Sequence, residues 1–379
     1  MTTHGPVRWC RVNLFATPLD ILLSCVFLPL TFFMVWKLGA WVLLQAKWSI
    51  IADNLRVLMV GTFPVEYLGR AWYVAGVLAV ATGATLGLVA KPQRIGVAAL
   101  VVAVLAAAMA VADYTRTAGF LACVTFGMLP WAAVSRFVLV HRLVQKAIGA
   151  IWVLGLVSVG VALAPAGMEH WGGLLMSVLV TLLASVLSIP LGVLLAFGRR
   201  SRYASARVIC TGYIELMRSL PLILIVYWIW VVTPLLAPGN PVPDLVRGLL
   251  AFTLFFAAYV AEYVRSGLQS VPRGQIEAAA SLGLSATQTS RDVVLPQALR
   301  VVTPALVGNV LDVFNTVPLL FIIGLTDFLR AGQMVLVDPQ SNGRSYEIYL
   351  FMFAVYLVVS SLITYGARRL ESKMAAGHR

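Results

Sequence analysis

Long apolar runs separated by short polar interruptions make up almost the whole chain. They lie at about 20–44, 72–90, 95–112, 119–140, 147–165, 172–198, 208–236, 248–267, 302–324 and 348–367. Each is close to or longer than the ~20 residues an α-helix needs to cross the hydrocarbon core of a bilayer. The pattern predicts an all-α polytopic membrane protein of about ten helices. The first run follows Arg8 and Arg11, as the apolar stretch of a signal peptide would. Its length, and the lack of a small-x-small cleavage site near residue 30, favour a first spanning helix instead. Residues 46–71, with Asp53, Arg56, Glu66 and Arg70, read as an external loop. Gly83 and Gly87, four apart, suit close packing of one helix on another.

One stretch departs from this pattern. Pro272 to Pro296, between the eighth and ninth runs, is the most polar segment of the chain. It predicts two short helices. The first lies between Pro272, acceptable in a first turn, and Gly283, which can take the left-handed conformation that ends a helix. Ile276, Ala279, Ala280 and Gly283 share one face of it, small enough for another backbone to come close. The second starts at Ser285, with Gln288 three residues on to complete a capping box, and stops before Pro296. A helix pair held in this way between two spans is a surface for another protein to grip.

Charge changes the picture less than its total suggests. Charged residues are only 11% of the chain, yet the net charge is +13. The basic residues gather in short connections: Lys91 and Arg94; Arg136, Arg142 and Lys146; Arg199, Arg200, Arg202 and Arg207; Arg265, Arg273, Arg291 and Arg300; Arg368, Arg369, Lys373 and Arg379. Counted through ten crossings, all of them fall on the side of Arg8 and Arg11, which the positive-inside rule makes the cytoplasm. The connections at 113–117, 166–171, 237–246 and 325–347 fall outside, with Asp113, Glu169, Asp244, Asp327, Asp338 and Glu347. Both termini are then cytoplasmic, and the basic charge orients the chain rather than binding nucleic acid. Cys10, Cys25, Cys123 and Cys210 form no CxxC pair, and His4, His141, His170 and His378 form no metal motif. No Gly-Lys step is present, so there is no phosphate-binding loop for ATP. No cofactor or metal is expected.

The polar segment also carries a resemblance. It is similar to the E-A-A-x-x-x-G-x9-[IV]-x-L-P loop of permease subunits of ABC importers, with Glu277, Ala278, Ala279, Gly283, Val293, Leu295 and Pro296 in the matching places. Trp171-Gly172-Gly173-Leu174-Leu175 resembles the start of the permease core of polar amino-acid importers. Glu215-Leu216-Met217-Arg218-Ser219-Leu220-Pro221 resembles that family's E-x-x-R-G-[TV]-P, with Ser219 for Gly, and Glu262-Tyr263-Val264-Arg265-Ser266-Gly267 its E-x-x-R-x-G. Asn13-Leu14-Phe15-Ala16-Thr17-Pro18 and the extension after it look like the larger permeases of general L-amino-acid importers. The resemblance implies a type I importer core at 166–379, preceded by a transmembrane extension of about five spans at 1–165, in a bacterial inner membrane. It implies that the loop at 268–300 is a coupling helix seated in a separate ATPase subunit. A second permease subunit and an external substrate-binding protein are the other partners it implies.

Polar residues inside the apolar runs need a reason, because an ionisable group there costs about 2.5–3.5 kcal/mol on insertion scales. Asn309, Asp312 and Thr316 form one stripe on the ninth span, with Asn315 beside it; substrate contact and interhelical hydrogen bonding account for it equally well. Glu215 with Arg218, and Glu262 with Arg265, are spaced to pair along their own helices. Pro221 and Pro318 can break their helices and free backbone groups to face a substrate. Ser219, Pro221, Asn309, Asp312, Asn315 and Thr316 are the candidate substrate path. There the family usually reads F-K-D-T-S-L, whereas this chain has Phe314-Asn315-Thr316-Val317-Pro318-Leu319. Without that Lys-Asp pair, a partner permease is the better place for the charged contacts. The leading expectation is a permease, itself not an enzyme, that imports polar L-amino acids on ATP hydrolysed elsewhere. A stand-alone secondary transporter or channel is the alternative.

Overall fold

The computed structural model describes residues 12–89, 141–239, 242–339 and 343–376, together with residues 10, 119 and 122–125. The runs at 95–112 and 119–140 lie essentially outside the described residues. Those described form helices α1 (Pro18–Leu44), α2 (Ser49–Val60), α3 (Leu68–Val89), α4 (His141–Leu163), α5 (Gly173–Arg199), α6 (Ala204–Ser219), α7 (Leu222–Leu236) and α8 (Asp244–Ser270). After them come α9 (Arg273–Ser281), α10 (Leu295–Thr316), α11 (Phe328–Val337) and α12 (Ser345–Ala376). Six of these stretches are long and apolar enough to cross a membrane, or seven with α6 and α7 taken as one broken span. Among the described residues, strand pairing amounts to one isolated bridge between Gly173 and Asp327.

α5 and α8 are the central pair and the most extensively packed, with α10 lying against both. Phe252, Phe255 and Phe256 of α8 meet Val180 and Ala184 of α5, Ile225 and Val226 of α7, and Val313 of α10 in the main core. A second apolar cluster closes the end where the polar segment emerges, joining Ala196, Ile214, Val264, Leu268, Val294 and Ala298. α1 differs: Ser24, whose hydroxyl donates to the Leu14 carbonyl at 2.7 Å, is its one buried residue. Leu22, Phe27, Phe32 and Trp36 are exposed all round it, as a lipid-facing helix requires.

Three expectations are corrected. Residues 46–71 are not a loop, because α2 occupies twelve of them. Its spacing puts Ile50, Ile51 and Leu58 on one face, where they pack with Phe328, Val335, Ile348 and Met352, while Asp53 and Arg56 stay exposed. The connection at 325–347 likewise holds α11, capped by Asp327. The break expected at Pro221 is present: the run at 208–236 bends by 113° between α6 and α7, around Leu220 and Pro221. Finally, the second helix of the polar segment does not stop before Pro296 but continues into α10. Leu295 is helical at φ −61°, ψ −43°, and a π-helical turn at Thr289–Val294 precedes it. A proline ring crowds the carbonyl four residues back; the wider turn relieves that crowding and lets the helix run on.

At the opposite end three chain segments touch backbone to backbone. Gly173 (φ +61°) donates its N–H to the Thr326 carbonyl at 2.8 Å, and the Ser177 hydroxyl accepts from Phe328 N–H at 3.1 Å. A Cβ on Gly173 would lie 2.6 Å from the Leu58 carbonyl oxygen, and one on Gly61 2.7 Å from Gly172 Cα. The Trp-Gly-Gly sequence is the contact that seats α2 on α5. The Lys47 N–H donates to Glu347 Oε1 at 3.1 Å, tying the entry of α2 to that of α12.

Gly173→Ala should therefore lower the melting temperature in detergent, at a cost of about 1–3 kcal/mol for strained φ and displaced backbone. Gly69→Ala, with open space around its Cβ, should leave it unchanged. Asp327 supplies a pH test. It is fully buried and accepts from the Leu329 and Arg330 N–H groups at 2.9 and 3.0 Å, yet burial pushes its carboxyl up to about 6. The unfolded value is near 3.9, so the folded state holds the extra proton between those values. This contribution to stability is complete below about pH 4 and is lost as pH rises through 6. The melting temperature should fall between pH 5 and 7.5 by a component missing from Asp327→Asn, whose amide oxygen keeps the cap.

Candidate functional site

The polar segment leaves the bundle where α8 ends. Pro272 opens α9 with φ −59° and extended ψ, and three exposed residues, Arg273, Gly274 and Gln275, lead into Ile276, Glu277 and Ala278. Ala279 is the buried residue of α9, which packs against the π-helical turn Thr289–Val294. The face predicted from spacing is thus divided. Ala279 anchors the helix to its own chain, while Ile276, Ala280 and Gly283 remain outside.

Gly283 ends α9 at φ +78°, a conformation costly for a side chain, with open space around it. Beside it Leu282 is 82% exposed, among the most exposed large apolar residues of the molecule. The expected capping box is formed: Ser285 Oγ accepts from Gln288 N–H at 3.3 Å, and Gln288 Oε1 accepts from Ser285 N–H at 2.9 Å. Glu277 is exposed, and no hydrogen bond or ion pair engages its carboxylate among the described residues. The π-helical turn then delivers Leu295 and Pro296 into the first turn of α10.

A belt of charge lies one to two turns above this segment. Glu262 of α8 accepts from Arg265 on its own helix, from Arg199 of α5 at 3.1 Å, and faces Arg218 of α6 at 3.6 Å. Arg199 also donates to Glu215 at 3.0 Å. The expected Glu262–Arg265 pair is present, but Glu215 does not pair with Arg218. The turn around Pro221 points Arg218 across to α8 instead, where its guanidinium sits 5.7 Å from the Tyr259 ring centre. Arg199, in the basic cluster by sequence, is the junction that links the two acids. Its role was invisible in spacing because its partners lie 16 and 63 residues away.

The candidate substrate path is only partly assembled. Ser219 donates its hydroxyl to the Leu216 carbonyl at 2.9 Å, within its own helix. Pro221 marks the break and begins α7 with no side-chain cap. Along α10, Asn309 is buried with its Oδ1 unpartnered. Thr316 bonds back to the Asp312 carbonyl at 2.8 Å. Asp312 and Asn315 are exposed, and Asn315 accepts from Ser360 of α12 at 3.2 Å. Pro318 falls where α10 tightens into a 3-10 turn at Val317–Ile323, ended by Gly324 at φ +83°.

Removing the charge at Glu262 leaves three guanidinium groups without a shared partner. Glu262→Gln should cost about 1–3 kcal/mol of stability, read as thermal unfolding in detergent. Glu215→Gln, which touches Arg199 alone, should cost less than half as much.

Binding-protein-dependent transport system inner membrane components, as a family, match residues 188–375. The chain is 38% identical over 210 residues to the inner membrane amino-acid ABC transporter permease protein YhdY of Escherichia coli K12, covering 55% of this chain and 57% of that protein. It is 34% identical over 220 residues to the glutamate/glutamine/aspartate/asparagine transport system permease protein BztC of Rhodobacter capsulatus, covering 58% and 51%. It is 32% identical over 208 residues to the glutamate/aspartate import permease protein GltK of Escherichia coli O6:H1, covering 52% and 91%. The match therefore spans little more than half the length of the first two relatives and nearly all of the third. On this likeness, and on its apolar spans, the chain is a multi-pass inner-membrane protein that belongs to the family of inner membrane components of binding-protein-dependent transport systems.

Proposed function

We propose that this chain is the permease subunit of an ATP-driven importer that moves polar L-amino acids into the cytoplasm. The observation that carries the reading is the segment from Pro272 to Pro296. It projects from between two spans, packs α9 on its own π-helical turn with Ala279 buried, and leaves Ile276, Glu277, Ala278, Ala280 and Leu282 exposed. A separate ATPase subunit grips that surface, and hydrolysis takes place there. The substrate class is supported by the relatives, whose names concern amino acids and, for two of them, glutamate and aspartate.

A second permease subunit and an external substrate-binding protein complete the assembly. Ten crossings, with both termini in the cytoplasm, keep every basic connection on the ATPase side. The importer core is residues 166–379, with coupling loop 268–300, and residues 1–165 are the extension, of which α2 is packed on the core. Asp312 and Asn315, exposed on α10, and the backbone around Ser219 and Pro221 face the path; the second permease supplies the cationic contact that Asn315 does not.

Gly283→Val tests the coupling role. A β-branched residue is strongly disfavoured at φ +78°, and nothing within 4 Å obstructs its Cβ, so the change stays local. The variant should insert with a small loss of melting temperature confined to the strained turn, while ATPase stimulation and amino-acid uptake by the reconstituted complex fall at least tenfold. Normal stimulation with normal uptake would remove the coupling role. Uptake by the purified chain without any ATPase would replace the proposal with a secondary transporter.

A further inference from the structure

The short link after α5 and the first turns of α6 hold four arginines with two different fates. Arg199 is turned inward onto Glu215 and Glu262. Arg200, Arg202 and Arg207 are exposed, and no acidic side chain pairs with any of them among the described residues. Arg202 is held against Tyr203, its guanidinium 5.0 Å from the ring centre and donating to the phenol oxygen at 3.0 Å. Around these cations the surface is apolar and open: Tyr203 is 61%, Val208 68% and Ile209 69% exposed.

The position of α6 gives this mixture meaning. It meets α7 at 113°, so if α7 runs toward the far side of the bilayer, α6 lies close to the membrane plane. Its inner face is fastened by Ile214 in the apolar cluster and by the Tyr213 hydroxyl, which donates to the Leu254 carbonyl at 2.8 Å. Its outer face is free. This is the end of the bundle from which the polar segment emerges, since Ile214, Ala196, Leu268 and Val294 share one cluster. A helix in that plane, with arginines beside a tyrosine and branched aliphatic side chains, offers its cations to headgroups and its carbon to the acyl boundary.

We infer that this face of α6 is a binding surface for anionic phospholipid, with Arg200, Arg202 and Arg207 holding the headgroup phosphates and Tyr203, Val208 and Ile209 seated at the top of the acyl chains. Charge complementarity selects the occupant. Three unpaired cations would repel one another across an interface with a second copy of the same surface, whereas the inner leaflet supplies negative charge next to hydrocarbon. The inference needs only the membrane placement of the chain and is independent of the proposed transport function.

The test uses the full chain purified in mild detergent, with lipid retention read by native mass spectrometry during titration with phosphatidylglycerol, phosphatidylcholine or soluble glycerol 1-phosphate. The wild type should retain phosphatidylglycerol in preference to phosphatidylcholine. Arg202→Gln should weaken that preference about fivefold, and the triple change at Arg200, Arg202 and Arg207 about a hundredfold, on a basis of about 1 kcal/mol per charge near the surface. Val208→Ser with Ile209→Ser should weaken retention of both lipids. Arg291→Gln, at an exposed arginine that already has Asp292 beside it, should change nothing. An undiminished preference in the triple variant would overturn the assignment. So would competition by glycerol 1-phosphate at the concentration of the lipid, which would make this a soluble phosphate site. Loss of a co-purifying permease subunit in the triple variant, with lipid retention intact, would make the face a subunit interface.

Discussion

Hydrocarbon gives two apolar helices no reason to prefer each other over lipid, so a bundle of this kind depends on how closely its backbones can approach. In this chain that constraint is met on α8. A Cβ on Gly192 of α5 would fall 2.6 Å from Val260 Cβ and 2.8 Å from the Ala257 carbonyl oxygen, and a Cβ on Gly267 would fall 2.7 Å from the Ala298 carbonyl oxygen. α8 is thus in near-contact with α5 at its middle and with α10 near its end. The spans that meet neither helix this closely, α1 above all, are left with lipid-facing surface.

The same helix carries the site outward. Glu262 lies between the two close approaches and gathers arginines from α5 and α6, so the charged belt rests on the part of α8 that is already held. Eight residues later the chain leaves the bundle, and after α9 it re-enters as α10 across the Gly267 contact. A push on the polar segment is therefore shared by two spans packed without slack, while Asn309, Asp312 and Asn315 ride further along one of them. On the proposed function, this is how an event at an exposed nine-residue helix is felt in the translocation path.

Much of this was legible in the sequence where the controlling interactions are local. The Ser285–Gln288 capping box, the turn at Gly283 and the break at Pro221 each follow from a few neighbouring residues. α2 was missed because twelve residues bearing Asp53 and Arg56 are too short and too charged to suggest a span, and its apolar face has meaning only against Phe328 and Ile348. The run through Pro296 was missed because a proline rule describes ordinary α-helix, and the chain answered with a wider turn. The pairing of Arg218 with Glu262 depended on a bend whose angle no spacing encodes. The candidate substrate path stays the least legible part: the Asn309 Oδ1 meets no partner among the described residues, and its neighbours on α10 divide between their own backbone, α12 and open surface.

The contact between Lys47 and Glu347 closes a loop of 300 residues, and that separation matters while the chain is being made. α2 emerges well before Phe328, Val335, Ile348 and Met352, which cover its apolar face. At about 5–20 residues per second, Ile50, Ile51 and Leu58 wait on the order of 15–60 s for them. During that interval α2 is an amphipathic helix without a partner, at the bilayer surface, and the high sequence separation of its contacts makes its docking a late step of folding. α2 is thus joined to α11 and α12 late, across about 300 residues of chain made in between.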